Sequence, residues 1–463
     1  MKSQTMRMRA LTLMLSGFIG HIVFGVINSI LVIRALGESG IGVYVLIRPA
    51  LAFLTTLTGL GNHKIRPALV ISILLLLVAR PFSIYLLHEP GAYLPLVFIA
   101  PLIIITSFSQ KLEAFSQHLD NTIPAALTTL LSQAVKIIAS LYFINRFADY
   151  GPSWVIGGLI LAFWIAEAVF VSGTALLFGL YKKRMAVPFF SRSLNCEKKG
   201  ASCDAPINVM VAITELLEPI IVMQLFFGIG LPSEISRFLY GALSGFTMPI
   251  LLMPIFFTQA LSKLAKVMIA GKEINEIRRL FGIFMTSVFC VCGFYTLIIL
   301  LYPTEITSLY FNTSTGSQYI THLAPFILLF FFQQVMVSFL SAMGESRQAI
   351  LPILAASIVR MLLLFLLLPN LHINIFGLVH AISAYHVIAT VWILRKTCSL
   401  LKIKKLRIFP FFLIFLITAL TGLIVRGHHS SFLPAPFLIF FNIFIMAAIF
   451  FPLTRLLLKN QSR

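Results

Sequence analysis

Acidic side chains are scarce in this chain of 463 residues: 15 Asp and Glu stand against 35 Lys and Arg, and only 11% of residues are charged. A water-soluble domain carries roughly 25%. With 59% hydrophobic residues and a mean hydropathy of +0.98, the length describes a polytopic membrane protein rather than two or three soluble domains. Soluble enzymes, nucleic-acid-binding modules and disordered scaffolds are excluded. Cysteines are few as well: Cys196, Cys203, Cys290, Cys292 and Cys398 are odd in number and lack C-x-x-C spacing, so they read as packing or reduced loop thiols. Also missing are a Walker P-loop, metal-spaced histidines, a G-x-S-x-G elbow and a dinucleotide fingerprint. No cofactor and no ATP hydrolysis are expected, which leaves an ion gradient, the membrane potential or the substrate gradient to drive any vectorial step.

What is present in abundance is apolar sequence in runs of membrane-spanning length. The basic start MKSQTMRMRA leads into an apolar stretch that continues to Val32 and Ile33 with no small-residue cleavage site, which predicts a retained first span. Fourteen spans are expected, at 9–34, 40–61, 66–87, 92–112, 122–146, 154–180, 207–229, 236–262, 279–302, 319–342, 347–369, 372–395, 408–426 and 433–455. With the N-terminus inside, 27 of the 35 Lys and Arg fall on inner segments and four on outer ones (Arg34, Arg146, Arg237, Arg426). Such alternation is the positive-inside signature and predicts that both termini are cytoplasmic. The net charge of +20 is thus a topological signal that also attracts anionic lipid headgroups, and nucleic acid is not an expected partner. The expected outer loops are short, and the longest loop, 181–206, faces inward. That leaves no room for an external catalytic domain, and the chain reads as a non-enzyme.

Sliding the sequence along itself gives a gap-free register at an offset of 224. Ala100 and Pro101 fall on Ala324 and Pro325, Gln110 on Gln334, Phe115 on Phe339, Ala125 on Ala349, and Lys136 on Arg360. An intramembrane cation recurring in both halves is the strongest of these matches. An even number of spans separates the copies, so two six-span lobes of the same orientation are expected, related by an axis along the membrane normal. The predicted fold is all-α: an N-lobe over 1–181, a cytoplasmic interlobe loop over 182–206, a C-lobe over 207–397, and an appended pair with a tail over 398–463.

An ionisable group at bilayer depth costs a few kcal/mol on insertion scales (~3) and needs a partner, a watery cavity or a function. Near span centres lie Lys136 (LSQAVKIIASLY), Arg360 (AASIVRMLLLFL), Glu167 (LAFWIAEAVFVSG), and Glu215 with Glu218 (VAITELLEPIIV); Arg48 and Arg80 also fall within spans. Glu215 and Glu218, three apart, are expected on one helix face, with Pro219 able to kink the helix beside them. Adjacent carboxylates resist ionising together, which suits a proton or sodium coupling site; the simpler alternative is that they balance Lys136 or Arg360. For the cations, one reading is a cavity that grips an anionic headgroup and the other is static pairing, most simply Lys136 with Glu167. Among uncharged polar residues, His21, Asn28, Gln333, Gln334, His380 and His386 lie at similar depth. The candidate substrate contacts are Arg360, Lys136, His21, Arg48 and Gln334, and the candidate ion-coupling residues are Glu215, Glu218 and Glu167. Pro249 and Pro254 predict a bent eighth span.

Three stretches carry a resemblance: INSILVIRALGESGIGVYVLIRPALAFLTTLTGLG, LYGALSGFTMPILLMPIFFTQALSKL, and LAPFILLFFFQQVMVSFLSAMGESRQAILPILAASIVRMLLLFLLLPNLHINIFGLVHAISAY. They resemble the stage V sporulation protein B group of the multidrug, oligosaccharidyl-lipid and polysaccharide (MOP) exporter superfamily, close to the lipid II flippases. The resemblance implies two six-helix lobes around a cavity, two extra helices, and alternating-access translocation of an undecaprenyl-linked saccharide, such as a peptidoglycan precursor, across the cytoplasmic membrane of a bacterium. It also places Lys136 and Arg360 where relatives carry basic residues, and Glu167 where they carry a glutamate. The chain departs from the group at His21 and Ser29, where many relatives have arginines, and in the short stretch GLGNHKIRPAL. A multidrug antiporter of the same superfamily and a non-transporting scaffold of envelope assembly are the alternatives.

Overall fold

A computed structural model describes residues 25–60, 65–117, 123–181, 205–269, 272–370, 372–403, 409–427 and 435–461. Among the described residues every regular element is a helix: α1 (Val26–Leu60), α2 (Ile65–Pro81), α3 (Tyr93–Gln117), α4 (Ile123–Phe147), α5 (Pro152–Tyr181), α6 (Ala205–Gly228), α7 (Ser233–Gly241), α8 (Met248–Leu251), α9 (Ile255–Ile269), α10 (Ile274–Val288), α11 (Phe294–Leu301), α12 (Pro303–Phe311), α13 (Ser317–Ala342), α14 (Arg347–Leu367), α15 (Phe376–Leu400), α16 (Phe409–Gly427) and α17 (Ala435–Gln461), with short 3-10 and π turns between some of them. Among the described residues ten helices, or eleven if the interrupted stretch Ser233–Leu251 and Ile255–Lys266 is one span, are long and apolar enough to cross a membrane; Pro410–Arg426 and Ile439–Arg455 are shorter apolar helices. Outward apolar side chains such as Leu77 (71% exposed) and Leu366 (73%) are tolerable only where lipid replaces water.

By contact the chain divides into Met1–Pro249 with Ser357–Ala381, and Ile250–Ala356 with Ile382–Arg463. In the first group α1 lies against α3, α5, α6 and α7, while α4 runs along α5 and α2 along α3. The loop expected between the first two spans is reduced to one residue. Gly37 alone leaves helical geometry (φ 59°, ψ −166°), a conformation open only to a residue without Cβ. Further along, α1 and α7 approach backbone to backbone: a Cβ on Gly241 would sit 2.9 Å from the Gly42 Cα, the small-residue contact typical of helices in lipid. Polar ties join the ends of α2, α6 and α7. Arg237 pairs with Glu89 at 2.6 Å, the Gln224 amide donates to the Tyr85 carbonyl at 2.6 Å, and the Ser233 hydroxyl donates to the His88 carbonyl at 2.7 Å.

In the second group α9 packs along α13, and α10 and α11 also touch α13. Pro254 has no N–H to offer the Ile250 carbonyl, and the helical stretch α7–α8 ends there in a turn over 252–254. The orphaned carbonyl is satisfied by the Tyr295 hydroxyl at 2.6 Å and by the Met253 N–H at 3.2 Å. The predicted bend of the eighth span is therefore a break with its own polar repair. The appended helices α16 and α17 dock on α11 through a core of Phe289, Leu297, Leu301, Tyr302, Ile414, Met446 and Phe450. One end of that dock is tied by Arg426 to Glu305 at 2.9 Å. The short helix α12 was expected as loop; its Pro303 at the first helical position and Glu305 in the first turn are ordinary helix-start residues.

Candidate functional site

Helices α1, α4, α5, α6 and the second half of α14 carry six intramembrane charges into the first contact group: Arg48, Lys136, Glu167, Glu215, Glu218 and Arg360. Glu218 and Arg360 form an ion pair, with side chains 10% and 13% exposed. The carboxylate is held from a second side by Tyr240 of α7, itself 2% exposed, whose hydroxyl donates to Glu218 Oε1 at 3.3 Å. Breaking such a pair on one side costs about 3–5 kcal/mol, because the surviving charge is left uncompensated.

Lys136 has a different setting. Its ammonium sits 4.1 Å from the ring centroid of Phe163 and feels the opposite charge of Glu167 together with the like charge of Arg48. Phe163 and Glu167 are one turn apart on α5, so the helix offers an aromatic face and a carboxylate side by side. Lys136 and Arg360 thus have separate acidic neighbours, as the simpler pairing readings anticipated. Arg48 joins the two halves of the array: its charge acts on Lys136 and also on Glu215, which Arg360 influences as well. Through these interactions of charge the six form an electrostatic string: Glu167 and Arg48 act on Lys136, Arg48 and Arg360 act on Glu215, and Arg360 pairs with Glu218.

Within that string two members are uncommitted. Arg48 and Glu215 are exposed and make no ion pair or hydrogen bond among the described residues. Glu215 and Glu218, expected on one face, part company: Glu218 is buried at 7% while Glu215 is exposed. A spacing of three turns a helix about 60° short of a full circle, enough to put one carboxylate into the packed interface and the other beside it. Pro219 has no N–H for the Glu215 carbonyl, which adds a backbone acceptor at the exposed position.

Of the other candidates, Gln334 belongs to the second group, where its Oε1 accepts from the Thr258 hydroxyl at 2.6 Å. His21 lies outside the described residues. Tyr240 and Phe163 were not anticipated. Phe163 could have been found by its spacing from Glu167, whereas Tyr240 reaches Glu218 only through helix packing. No group of three or more potential metal ligands is present among the described residues.

No family model matches the chain. It is 25% identical over 433 residues to the Stage V sporulation protein B of Bacillus subtilis (strain 168), covering 84% of this chain and 83% of that protein. Among solved structures, an inward-facing multidrug resistance MATE family transporter of the MOP superfamily matches with a TM-score of 0.60 at 13% identity, covering 86% of this chain and all of the other. The lipid II flippase MurJ in an inward closed conformation matches with a TM-score of 0.58 at 13% identity, covering 97% and 99%. These findings bear out the resemblance read from the sequence and give the chain the fold of MOP-superfamily transporters, in a multi-pass membrane protein.

Proposed function

We propose that the protein is a flippase of a bacterial cytoplasmic membrane, moving an undecaprenyl-(pyro)phosphate-linked saccharide by alternating access. The observation that carries this reading is that the cations Arg48, Lys136 and Arg360 stand at membrane depth in one contact group, with Arg48 in no ion pair among the described residues. Cations are retained in lipid only for a purpose that repays their desolvation, and a planar guanidinium is suited to phosphate oxygens. Similarity to Stage V sporulation protein B and the fold shared with MurJ support the substrate class. In this reading Arg360, Arg48 and Lys136 steady the phosphates, His21 contacts the headgroup, and Glu215, Glu218 and Glu167 tune the charge or couple to Na+ or H+. The lobes are those of the repeat, 1–181 and 207–397, with anionic lipids at the basic cytoplasmic face.

The test is a reconstituted flipping assay with a defined undecaprenyl-linked saccharide, with and without ion gradients. Arg360→Ala and Arg48→Ala should each lower the rate at least tenfold at normal expression, consistent with losing one charge-assisted contact of about 1.5–3 kcal/mol. Full function of Arg360→Ala overturns the reading. A second reading, an ion-coupled multidrug antiporter, is favoured by the exposed Glu215 carboxylate and the MATE-like fold; binding of a cationic dye in place of a prenyl pyrophosphate would select it. Retention of the cellular phenotype after neutralising all six charges would point to a scaffold.

A further inference from the structure

We propose that Glu218 is a specificity-determining residue: it occupies the Arg360 fork and sets a charge threshold that only a multiply charged anionic headgroup passes. The inference rests on the reading that such a headgroup binds among Arg48, Lys136 and Arg360, and assigns Glu218 a role distinct from ion coupling.

Arg360 already has an anion. The Glu218 carboxylate is its ion-pair partner, and the two oxygens of a carboxylate match a guanidinium in the same way as two oxygens of a phosphate. Because both side chains are at least 87% buried, an incoming ligand finds a neutral, desolvated pair rather than a bare cation. A ligand with one negative charge would exchange one charge for another and leave a carboxylate behind without its cation, a net loss. A pyrophosphate brings charge for Arg360 and further charge for Arg48, which has no ion pair to break, so displacement becomes favourable.

The released carboxylate needs a donor, and one is in place. Tyr240 already donates to Glu218 Oε1 from α7, the carboxylate oxygen that is not the one paired with Arg360. Tyr240 can therefore hold Glu218 while Arg360 turns to the ligand. Discrimination by an internal competitor is a repulsive device, acting against wrong ligands more than for the right one. Glu215, exposed and unpaired among the described residues, lacks this arrangement, so the two glutamates differ in role despite their spacing.

The experiment compares binding of farnesyl pyrophosphate and farnesyl sulfate, equal in tail and unequal in charge, to the purified full-length protein in detergent. It uses wild type, Glu218→Gln, Arg360→Ala and Tyr240→Phe, each checked for monodispersity and thermal unfolding. Gln keeps the shape and a hydrogen bond to Arg360 while removing the competing charge. Wild type should prefer the pyrophosphate by about a hundredfold, and Glu218→Gln should bind the sulfate at least about tenfold more tightly, shrinking that preference. Tyr240→Phe should weaken the pyrophosphate about threefold and leave the sulfate unchanged, since only the displaced carboxylate loses its donor. An unchanged preference in Glu218→Gln, with pyrophosphate binding lost in Arg360→Ala, overturns the competitor role and leaves the headgroup reading intact. If Glu218→Gln does not fold, unaltered binding in Tyr240→Phe overturns the role instead. Absence of pyrophosphate binding in wild type, or Arg360→Ala binding as wild type does, sinks both.

Discussion

Lys136 illustrates how a single charge is accommodated in lipid. The ammonium rests over Phe163 at 4.1 Å and faces the charge of Glu167, so an aromatic face and a carboxylate replace water on two sides. Lys136→Gln should lower stability by about 2 kcal/mol, read as thermal unfolding of the purified protein, because Glu167 then keeps its charge without its cation. The double substitution Lys136→Gln with Glu167→Gln should recover more than half of that loss; strictly additive costs would show that the two are not coupled. The three-residue spacing of Glu215 and Glu218 was legible as a pair of helix neighbours. Which of them is buried was not, because burial depends on where α7 and α14 lie against α6. The same limit applies to Tyr240, whose place beside Glu218 has no counterpart in the local pattern.

Helices α1 and α7 meet through glycines, and a contact of this kind is sensitive to one methyl group. Gly241→Ala places a Cβ 2.9 Å from the Gly42 Cα, backbone that cannot turn aside, so a loss of about 1–3 kcal/mol is expected. Gly228→Ala, whose Cβ meets nothing within 4 Å, serves as the control and should be nearly neutral in the same unfolding measurement. The break at Pro254 makes a second prediction for an element. Tyr295→Phe removes the hydroxyl donated to the Ile250 carbonyl, which should cost about 1–2 kcal/mol and speed amide exchange locally over 252–258, with little change in α13. Uniform protection across that stretch would show that the Met253 N–H suffices. Pro249 and Pro254 announced an irregular eighth span; the identity of the residue that repairs it came from helix packing.

For the molecule as a whole, the 224-residue offset reaches beyond side chains. The helices α3, α4 and α5 begin at Tyr93, Ile123 and Pro152, and α13, α14 and α15 begin at Ser317, Arg347 and Phe376, each pair separated by that same offset. Three consecutive helix starts in register are what a duplicated block requires. The prolines at 101 and 325 sit inside the corresponding helices. The charge alternation of the loops makes an independent whole-chain prediction. A fluorescent reporter fused after Arg463 should be active and a phosphatase fused there inactive, while phosphatase fusions at 88–90 and at 428–430 should be active. The reverse pattern would invert the orientation and with it the assignment of the basic surface to the cytoplasmic leaflet.

Composition and periodicity by themselves determined that the chain lives in lipid, roughly where its helices lie, and which ionisable groups fall within its apolar runs. Those properties follow from the solvent: hydrocarbon demands apolar runs of fixed length and makes every exception conspicuous. Only the tertiary structure decided the partners. It paired Arg360 with Glu218 and Tyr240, gave Lys136 to Phe163 and Glu167, left Arg48 and Glu215 exposed, and put Gln334 on Thr258. Partnership is set by which helices touch and how each is rotated about its axis, and in lipid those choices rest on close packing and a few hydrogen bonds spread over distant parts of the chain.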